Sequence, residues 1–138
     1  MLAAVGNLAQ TGKEEALRQG LERARAEFGA VSDFSEQEAL VRKVLCAKPL
    51  EKYFSVPGAM VFQEKEVVDN KGRTKRIDRL IVKDKEVWIV DYKTKAEPEL
   101  DYKKQVDEYR SIIRELYPRH EIKGYLIYLE ELKVEDVS

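Results

Sequence analysis

The stretch RIDRLIVKDKEVWIVDYKTK, residues 76–95, decides the fold of this 138-residue chain. Residues 73–82 and 86–93 each read as a β-strand. The segment between them, Lys83-Asp84-Lys85, suits a tight turn. The stretch therefore predicts two neighbouring antiparallel strands.

A further strand is predicted just before this pair. Residues 61–68 have strand character, and Asp69-Asn70-Lys71-Gly72 supplies the turn that leads into the next strand. Three strands joined by two short turns form an antiparallel meander. A last strand is predicted at residues 122–129, IKGYLIYL.

Helices are predicted on both sides of the meander in the chain. Apolar residues at three- and four-residue spacing predict a helix over residues 13–28, with Gly29 as its stop. A second helix opens at Ser35, where Glu38 completes a capping-box pattern. Residues 100–117 form a third. The side chains expected to face the core are Leu40, Val41, Val44 and Leu45 on the second helix, and Val106, Tyr109, Ile113 and Leu116 on the third.

The order helix, helix, three strands, helix, strand predicts an α/β or α+β fold. Its economical form is a central mixed sheet of about four strands flanked by helices. The length predicts one domain over residues 1–138, with a helical part at 1–58 and the sheet at 59–138.

The composition excludes several kinds of site. One cysteine, Cys46, excludes an internal disulfide and a cysteine-ligated zinc site, and its apolar neighbours predict a buried thiol. The single His120 makes Ser-His or Cys-His catalysis improbable. No apolar run reaches the ~20 residues of a membrane span, and no signal peptide is evident, so a cytoplasmic protein without membrane contact is predicted.

Three charged residues at the ends of the central strands suggest chemistry. Asp91 and Lys93 are two apart in a strand and project to one face, and the adjacent strand can bring Asp78 alongside. Two convergent carboxylates make a hard oxygen site suited to Mg²⁺ or Mn²⁺, and a lysine can stabilise charge on a phosphate. These are the components of phosphodiester hydrolysis. The alternative is a structural ion pair at a strand end.

The same run resembles the core motif of PD-(D/E)XK nucleases, in which an Asp precedes a strand ending in D/E-X-K. Residues 102–109, YKKQVDEY, resemble the Gln-x-x-x-Tyr helix of RecB- and AddA-like nucleases, and residues 124–130, GYLIYLE, are also similar. The resemblance covers residues 62–134. It implies a restriction-endonuclease-like core, and it is closest to the nuclease domains at the C-termini of UvrD-like helicases.

The resemblance implies a metal-dependent DNA nuclease that acts in end processing, recombination or repair. The catalytic residues it implies are Asp78, Asp91, Lys93, Gln105 and Tyr109, and the metal ligands are Asp78, Asp91, the Tyr92 carbonyl and Glu38. Many relatives carry an early-helix His that this sequence lacks. Glu38 is the best-placed substitute, although its spacing from Ser35 also explains it as a cap partner.

The implied partners are DNA, either single-stranded or as duplex ends, and a helicase motor in the same chain or complex. With 25 Lys and Arg against 26 Asp and Glu, DNA attraction must come from local basic residues. The candidates are Arg73, Lys75, Arg76, Lys95 and Lys104, and the alternative is a solvated surface. Two other readings are a nuclease-fold domain without activity, used for DNA or helicase contacts, and a stand-alone resolvase or restriction-like endonuclease.

Overall fold

A computed structural model of the chain describes residues 6–28, 35–95 and 101–138. The helices are α1 (Leu8–Thr11), α2 (Lys13–Phe28), α3 (Ser35–Cys46), α4 (Glu51–Phe54) and α5 (Tyr102–Leu116), with a 3-10 turn at Lys48–Leu50 before α4. The strands are β1 (Met60–Val68), β2 (Thr74–Val82), β3 (Glu86–Lys93), β4 (Glu121–Tyr128) and β5 (Lys133–Asp136). The predicted Gly29 stop and Leu100 lie outside the described residues.

The strands form one mixed sheet in the order β1-β2-β3-β4-β5. The pairs β1–β2 and β2–β3 are antiparallel, which confirms the predicted meander. Strand β4 runs parallel to β3, and α5 is the crossover that a parallel pair requires. The fold is therefore α+β, as predicted.

A fifth strand extends the sheet beyond the predicted four. Strand β5 pairs antiparallel with β4, from Tyr128↔Lys133 to Tyr125↔Asp136. Its sequence, KVED, has one apolar residue among three charged ones, so no alternation is visible. The predicted number of strands was too low because β5 is short and polar.

The two faces of the sheet pack against different helices. On β3, Trp88 and Val90 join a core with the N-terminal helices, whereas Val87 and Ile89 join a core with α5. Since side chains alternate along a strand, Asp91 continues the α5 side. Asp91 therefore places a charged side chain on a face of the sheet where Val87 and Ile89 are apolar.

The stripe of buried side chains on α3, which packs on the first face, is narrower than predicted. Val41, Val44 and Leu45 of α3 are buried, but Leu40 is 39% exposed. Val41 and Val44–Leu45 already fill the side of the helix that faces the sheet, and Leu40 is turned about 100° away from Val41. The predicted burial of Cys46, the last residue of α3, was also wrong, because its thiol is exposed.

Helix α5 covers the second face through Val106, Tyr109 and Ile113, all buried as predicted. Leu116 is 60% exposed, against the prediction, because it ends the helix and the next residue, Tyr117, packs against this core instead. The helix also lies close to β4. A Cβ at Gly124 would collide with the Val106 side chain, so glycine permits this approach.

In the parts of the chain that the structure describes, no helix combines the length and apolar character needed to cross a bilayer.

Candidate functional site

Asp78 and Asp91 meet where two strands stop pairing. The ladder between β2 and β3 ends at Arg79↔Val90, so the next step of the same register would set Asp78 opposite Asp91. Instead of a main-chain pair, Asp78 Oδ2 accepts a hydrogen bond from the Tyr92 amide at 2.9 Å. This bond holds the Asp78 carboxylate across the end of β3.

The other neighbour of β2 also departs from regular pairing at this level. Glu64 of β1 has a φ of 51°, and the β1–β2 register passes from Gln63↔Arg79 to Lys65↔Ile77 without a pair for Glu64. The Glu64 carboxylate forms an ion pair with Arg23 of α2. A left-handed non-glycine residue within a strand is strained, and such residues cluster at functional sites.

Asp91 is the buried member of the carboxylate pair. Its side chain is 5% exposed. Burial, together with the hydrogen bond and the charge of Asp78, raises the pKa of Asp91 to about 7, although Lys93 acts in the opposite direction. Two carboxyl groups this close to each other resist ionising together unless a cation compensates them.

One oxygen of Asp91 lacks a well-aligned hydrogen bond. The Lys93 ammonium lies 3.0 Å from Asp91 Oδ2, which satisfies an ion pair, yet this buried oxygen accepts no hydrogen bond of acceptable geometry from the described residues. A carboxylate oxygen left this way, beside a second carboxylate, fits the ligand preference of a hard divalent cation such as Mg²⁺ or Mn²⁺.

A chain of hydrogen bonds links Lys93 to helix α5. Lys93 Nζ donates to Gln105 Oε1 at 2.8 Å, and Gln105 Nε2 donates to the Tyr109 hydroxyl oxygen at 3.1 Å. Gln105 and Tyr109 are four residues apart on one face of the helix. The structure therefore brings all five predicted catalytic residues together.

Tyr109 is fixed in its neutral form. Burial raises the pKa of its hydroxyl, and the charges of Asp91 and Asp78 raise it further. Its hydroxyl therefore keeps its proton. It can donate a hydrogen bond while its oxygen accepts one from Gln105 Nε2.

Tyr102 contacts Lys93 and was not predicted as a site residue. The ring of Tyr102 lies with its centroid 4.7 Å from Lys93 Nζ. Tyr102 is three residues before Gln105, so helical spacing already places the two side chains as neighbours. That spacing was the available signal, but nothing in the sequence indicated that Lys93 would lie between strand and helix at this height.

Lys93 and the three α5 side chains border a cleft of about 430 Å³, whereas Asp78 and Asp91 do not line it. It is lined by Lys75, Lys93, Asp101, Tyr102, Lys104, Gln105, Glu108 and Tyr109. Of the predicted DNA-binding residues, Lys75 and Lys104 line this cleft. Lys75 lies 3.6 Å from Glu108 across it, in a pair between β2 and α5.

The other predicted DNA-binding residues do not line this cleft. Arg73 borders an adjoining groove of about 310 Å³ and pairs with Asp69 at 2.7 Å, within the β1–β2 turn. Arg76 lies 4.0 Å from Glu64, and Lys95 is exposed after the end of β3. Neither residue lines either cleft.

The structure does not bring Glu38, the predicted early-helix metal ligand, to the two carboxylates. Helix α3 packs on the face of the sheet opposite α5, and Glu38 lies 3.4 Å from Arg42 of its own helix. Over residues 6–28, 35–95 and 101–138, no three His, Cys, Asp or Glu side chains cluster closely enough to hold a metal ion. The sequence identified the helix but not the face of the sheet that it covers.

The side chains of Tyr92 and His120 both pack against an aromatic neighbour. The Tyr92 ring stacks on Phe54, at 6.2 Å between centroids, on the side of the N-terminal helices. Only its main chain can therefore serve the site, which is consistent with its predicted role as a carbonyl ligand. His120 packs against Tyr117 in the turn before β4.

No protein-family model and no curated protein matches this chain. The resemblance of its motifs to the nuclease superfamily therefore stays an expectation, and its function must be inferred from the site itself.

Proposed function

We propose that this domain is a metal-dependent nuclease that hydrolyses phosphodiester bonds in DNA. One observation carries the proposal: Asp91 is buried beside a second carboxylate, with one oxygen that has no aligned hydrogen bond, and Lys93 lies 3.0 Å away. A structural ion pair needs one carboxylate and one lysine. It does not explain the second carboxylate, whose charge makes the arrangement more costly.

The residues that would hold Mg²⁺ or Mn²⁺ are Asp78 and Asp91, with the Tyr92 carbonyl, while waters and phosphate oxygens would complete the coordination. When bound, such an ion supplies Lewis-acid polarisation and a more acidic water. The protein's part is to hold both carboxylates in place. Asp78 is oriented by the Tyr92 amide, and Asp91 by its own buried position near the end of β3.

Lys93 is the group suited to stabilise the charge that develops on the phosphate. Lys93 borders the cleft, and its ammonium donates a hydrogen bond to Gln105 Oε1 at 2.8 Å. Gln105 is in turn fixed by the Tyr109 hydroxyl at 3.1 Å. Preorganised donors of this kind lower the barrier because they need no reorientation during the reaction.

DNA would enter through the cleft beside Lys75 and Lys104. A cavity of about 430 Å³ is in the range that accommodates a small-molecule-sized group, such as one nucleotide of a strand. Arg73, Arg76 and Lys95 would make outer phosphate contacts. Since the net charge is -1, affinity must depend on these local cations and on salt.

The resemblance adds the wider setting of the proposal. It suggests a restriction-endonuclease-like core, a cytoplasmic role in end processing, recombination or repair, and a UvrD-like helicase motor as a partner in the same chain or complex. The second candidate is a nuclease-fold domain that binds DNA or helicase without cleaving. The absence of a third acidic or imidazole ligand, within the described residues, favours that alternative.

A cleavage assay separates the two candidates. Purified protein is incubated with single- and double-stranded DNA in Mg²⁺ or Mn²⁺, alongside Asp91→Ala and Lys93→Ala. Matched controls are Asp84→Ala and Lys85→Ala, which remove the same charges in the exposed β2–β3 turn. The proposal predicts cleavage by the wild type and both controls, with at least a hundredfold loss in the two site variants.

Folded protein that binds DNA but cuts neither substrate with either metal would support the non-catalytic alternative. Cleavage that survives Asp91→Ala would refute the assignment of the site.

A further inference from the structure

Among the described residues, three groups lie beside the Lys93 ammonium, and the proposed mechanism already uses two of them. Asp91 Oδ2 lies 3.0 Å from Nζ, and Gln105 Oε1 accepts a hydrogen bond from it at 2.8 Å. The third neighbour is the ring of Tyr102, whose centroid is 4.7 Å from Nζ. A cation within about 6 Å of a ring centroid is attracted by the ring's negative face.

The ring of Tyr102 is itself held by its surroundings. It lies at the first residue of α5, directly after Asp101, whose carboxylate caps the helix by accepting from the Lys104 amide at 3.0 Å. The ring packs against Tyr128 at 6.5 Å between centroids. The Tyr128 hydroxyl donates to Glu135 of β5 at 2.7 Å, so the contact is tied to the sheet edge.

The contact between Tyr102 and Lys93 lies at the cleft, so it bears on where the ammonium is held. Tyr102 and Lys93 both line the catalytic cleft. Lysine is a compact charge on a flexible four-carbon stem, and an ion pair with Asp91 alone would draw it towards the carboxylates. The negative face of the Tyr102 ring, which borders the cleft, opposes that movement by attracting the ammonium. The ring does not neutralise the ammonium, which can still interact with a phosphate oxygen.

We infer that Tyr102 is a positioning residue, whose ring holds the Lys93 ammonium at the cleft where the scissile phosphate would lie. The inference rests on the proposed nuclease function, because it assigns the ring a role in presenting Lys93 to that phosphate. The face of the ring carries the effect, and the hydroxyl does not.

The test compares Tyr102→Leu with Tyr102→Phe in steady-state cleavage of DNA by the full chain in Mg²⁺. Leu keeps an apolar contact with Tyr128 but removes the π face, whereas Phe keeps it. We expect kcat to fall about tenfold in Tyr102→Leu, with KM within about twofold, and Tyr102→Phe to match the wild type. Tyr117→Leu is the matched control, because Tyr117 is a half-buried tyrosine at the other end of α5 whose ring contacts His120.

An unchanged kcat in Tyr102→Leu would overturn the inference, as would an equal loss in Tyr102→Phe. A loss in the Tyr117→Leu control as large as that in Tyr102→Leu would also overturn it, since the effect would then follow from packing of the helix.

A second measurement does not depend on cleavage. In a carbon–proton NMR spectrum, the ring should shift the Lys93 ε-methylene protons upfield in the wild type and Tyr102→Phe, but not in Tyr102→Leu. If the wild type cuts no DNA while this shift is present, the proposed function fails and the placement of Lys93 by the ring stands. If the shift is missing from the wild type, the inference fails whatever the activity.

Discussion

Replacing Asp91 with asparagine should stabilise the metal-free protein at pH 8. Burial and the neighbouring Asp78 together raise the pKa of Asp91 from 3.8 to about 7, against the opposing effect of Lys93. Because the folded state binds this proton more tightly than the unfolded chain does, stability falls as the pH rises from about 4 to about 7 and stays reduced above that range. Asparagine has the shape of the protonated side chain and carries no such penalty.

The size of the effect follows from the pKa. A rise from 3.8 to about 7 corresponds to an upper bound of ~4 kcal/mol, at ~1.4 kcal/mol per pH unit. Local relaxation and water penetration reduce this bound, so we expect Asp91→Asn to raise the free energy of unfolding by about 2 kcal/mol at pH 8. At pH 4 the variant and the wild type should be nearly equal.

The assay is urea unfolding at pH 4 and pH 8 in the presence of a chelator, with Asp84→Asn in the exposed turn as the control. Adding Mg²⁺ at pH 8 should then stabilise the wild type but not Asp91→Asn, because only the wild type offers both carboxylates. A variant that is less stable than the wild type at pH 8 without metal would refute the reasoning.

Three further predictions concern other parts of the chain. Glu38→Ala should leave Mn²⁺ affinity in calorimetry within about twofold of wild type, since Glu38 lies on the other side of the sheet; a loss of binding would restore it as a ligand. Glu108→Gln should release Lys75 and tighten DNA binding in fluorescence anisotropy by about twofold to fivefold, whereas unchanged or weaker binding would exclude Lys75 as a phosphate contact. Gly124→Ala should lower the free energy of unfolding by about 1–3 kcal/mol in urea, because a Cβ there collides with Val106; an unchanged value would mean that α5 can shift away.

The sequence was most informative where the chain is regular. The strand character of residues 61–68, 73–82 and 86–93 and the short turns between them predicted the meander, and the two-residue spacing of Asp91 and Lys93 placed both on one face. Helical spacing likewise placed Gln105 and Tyr109 together, and the structure shows them joined by a hydrogen bond. These are local relations, fixed by the geometry of single elements.

What could not be predicted depends on how the elements pack against each other. The capping pattern identified α3, but only the tertiary arrangement shows that Glu38 is separated from Asp91 by the sheet. Strand β5 is too short and charged to have a pattern of its own, and it exists because β4 offers it an edge. The approach of Tyr102 to Lys93 depends on the angle at which α5 begins.

Calorimetric titration of Mn²⁺ into the wild type and Asp78→Asn at pH 7.5 tests the central claim most directly. Asp78→Asn removes one of the two carboxylate charges and leaves an oxygen that can still accept from the Tyr92 amide. The proposed site predicts specific Mn²⁺ binding by the wild type that is lost in the variant. Equal binding by both proteins, or none by the wild type, would contradict it.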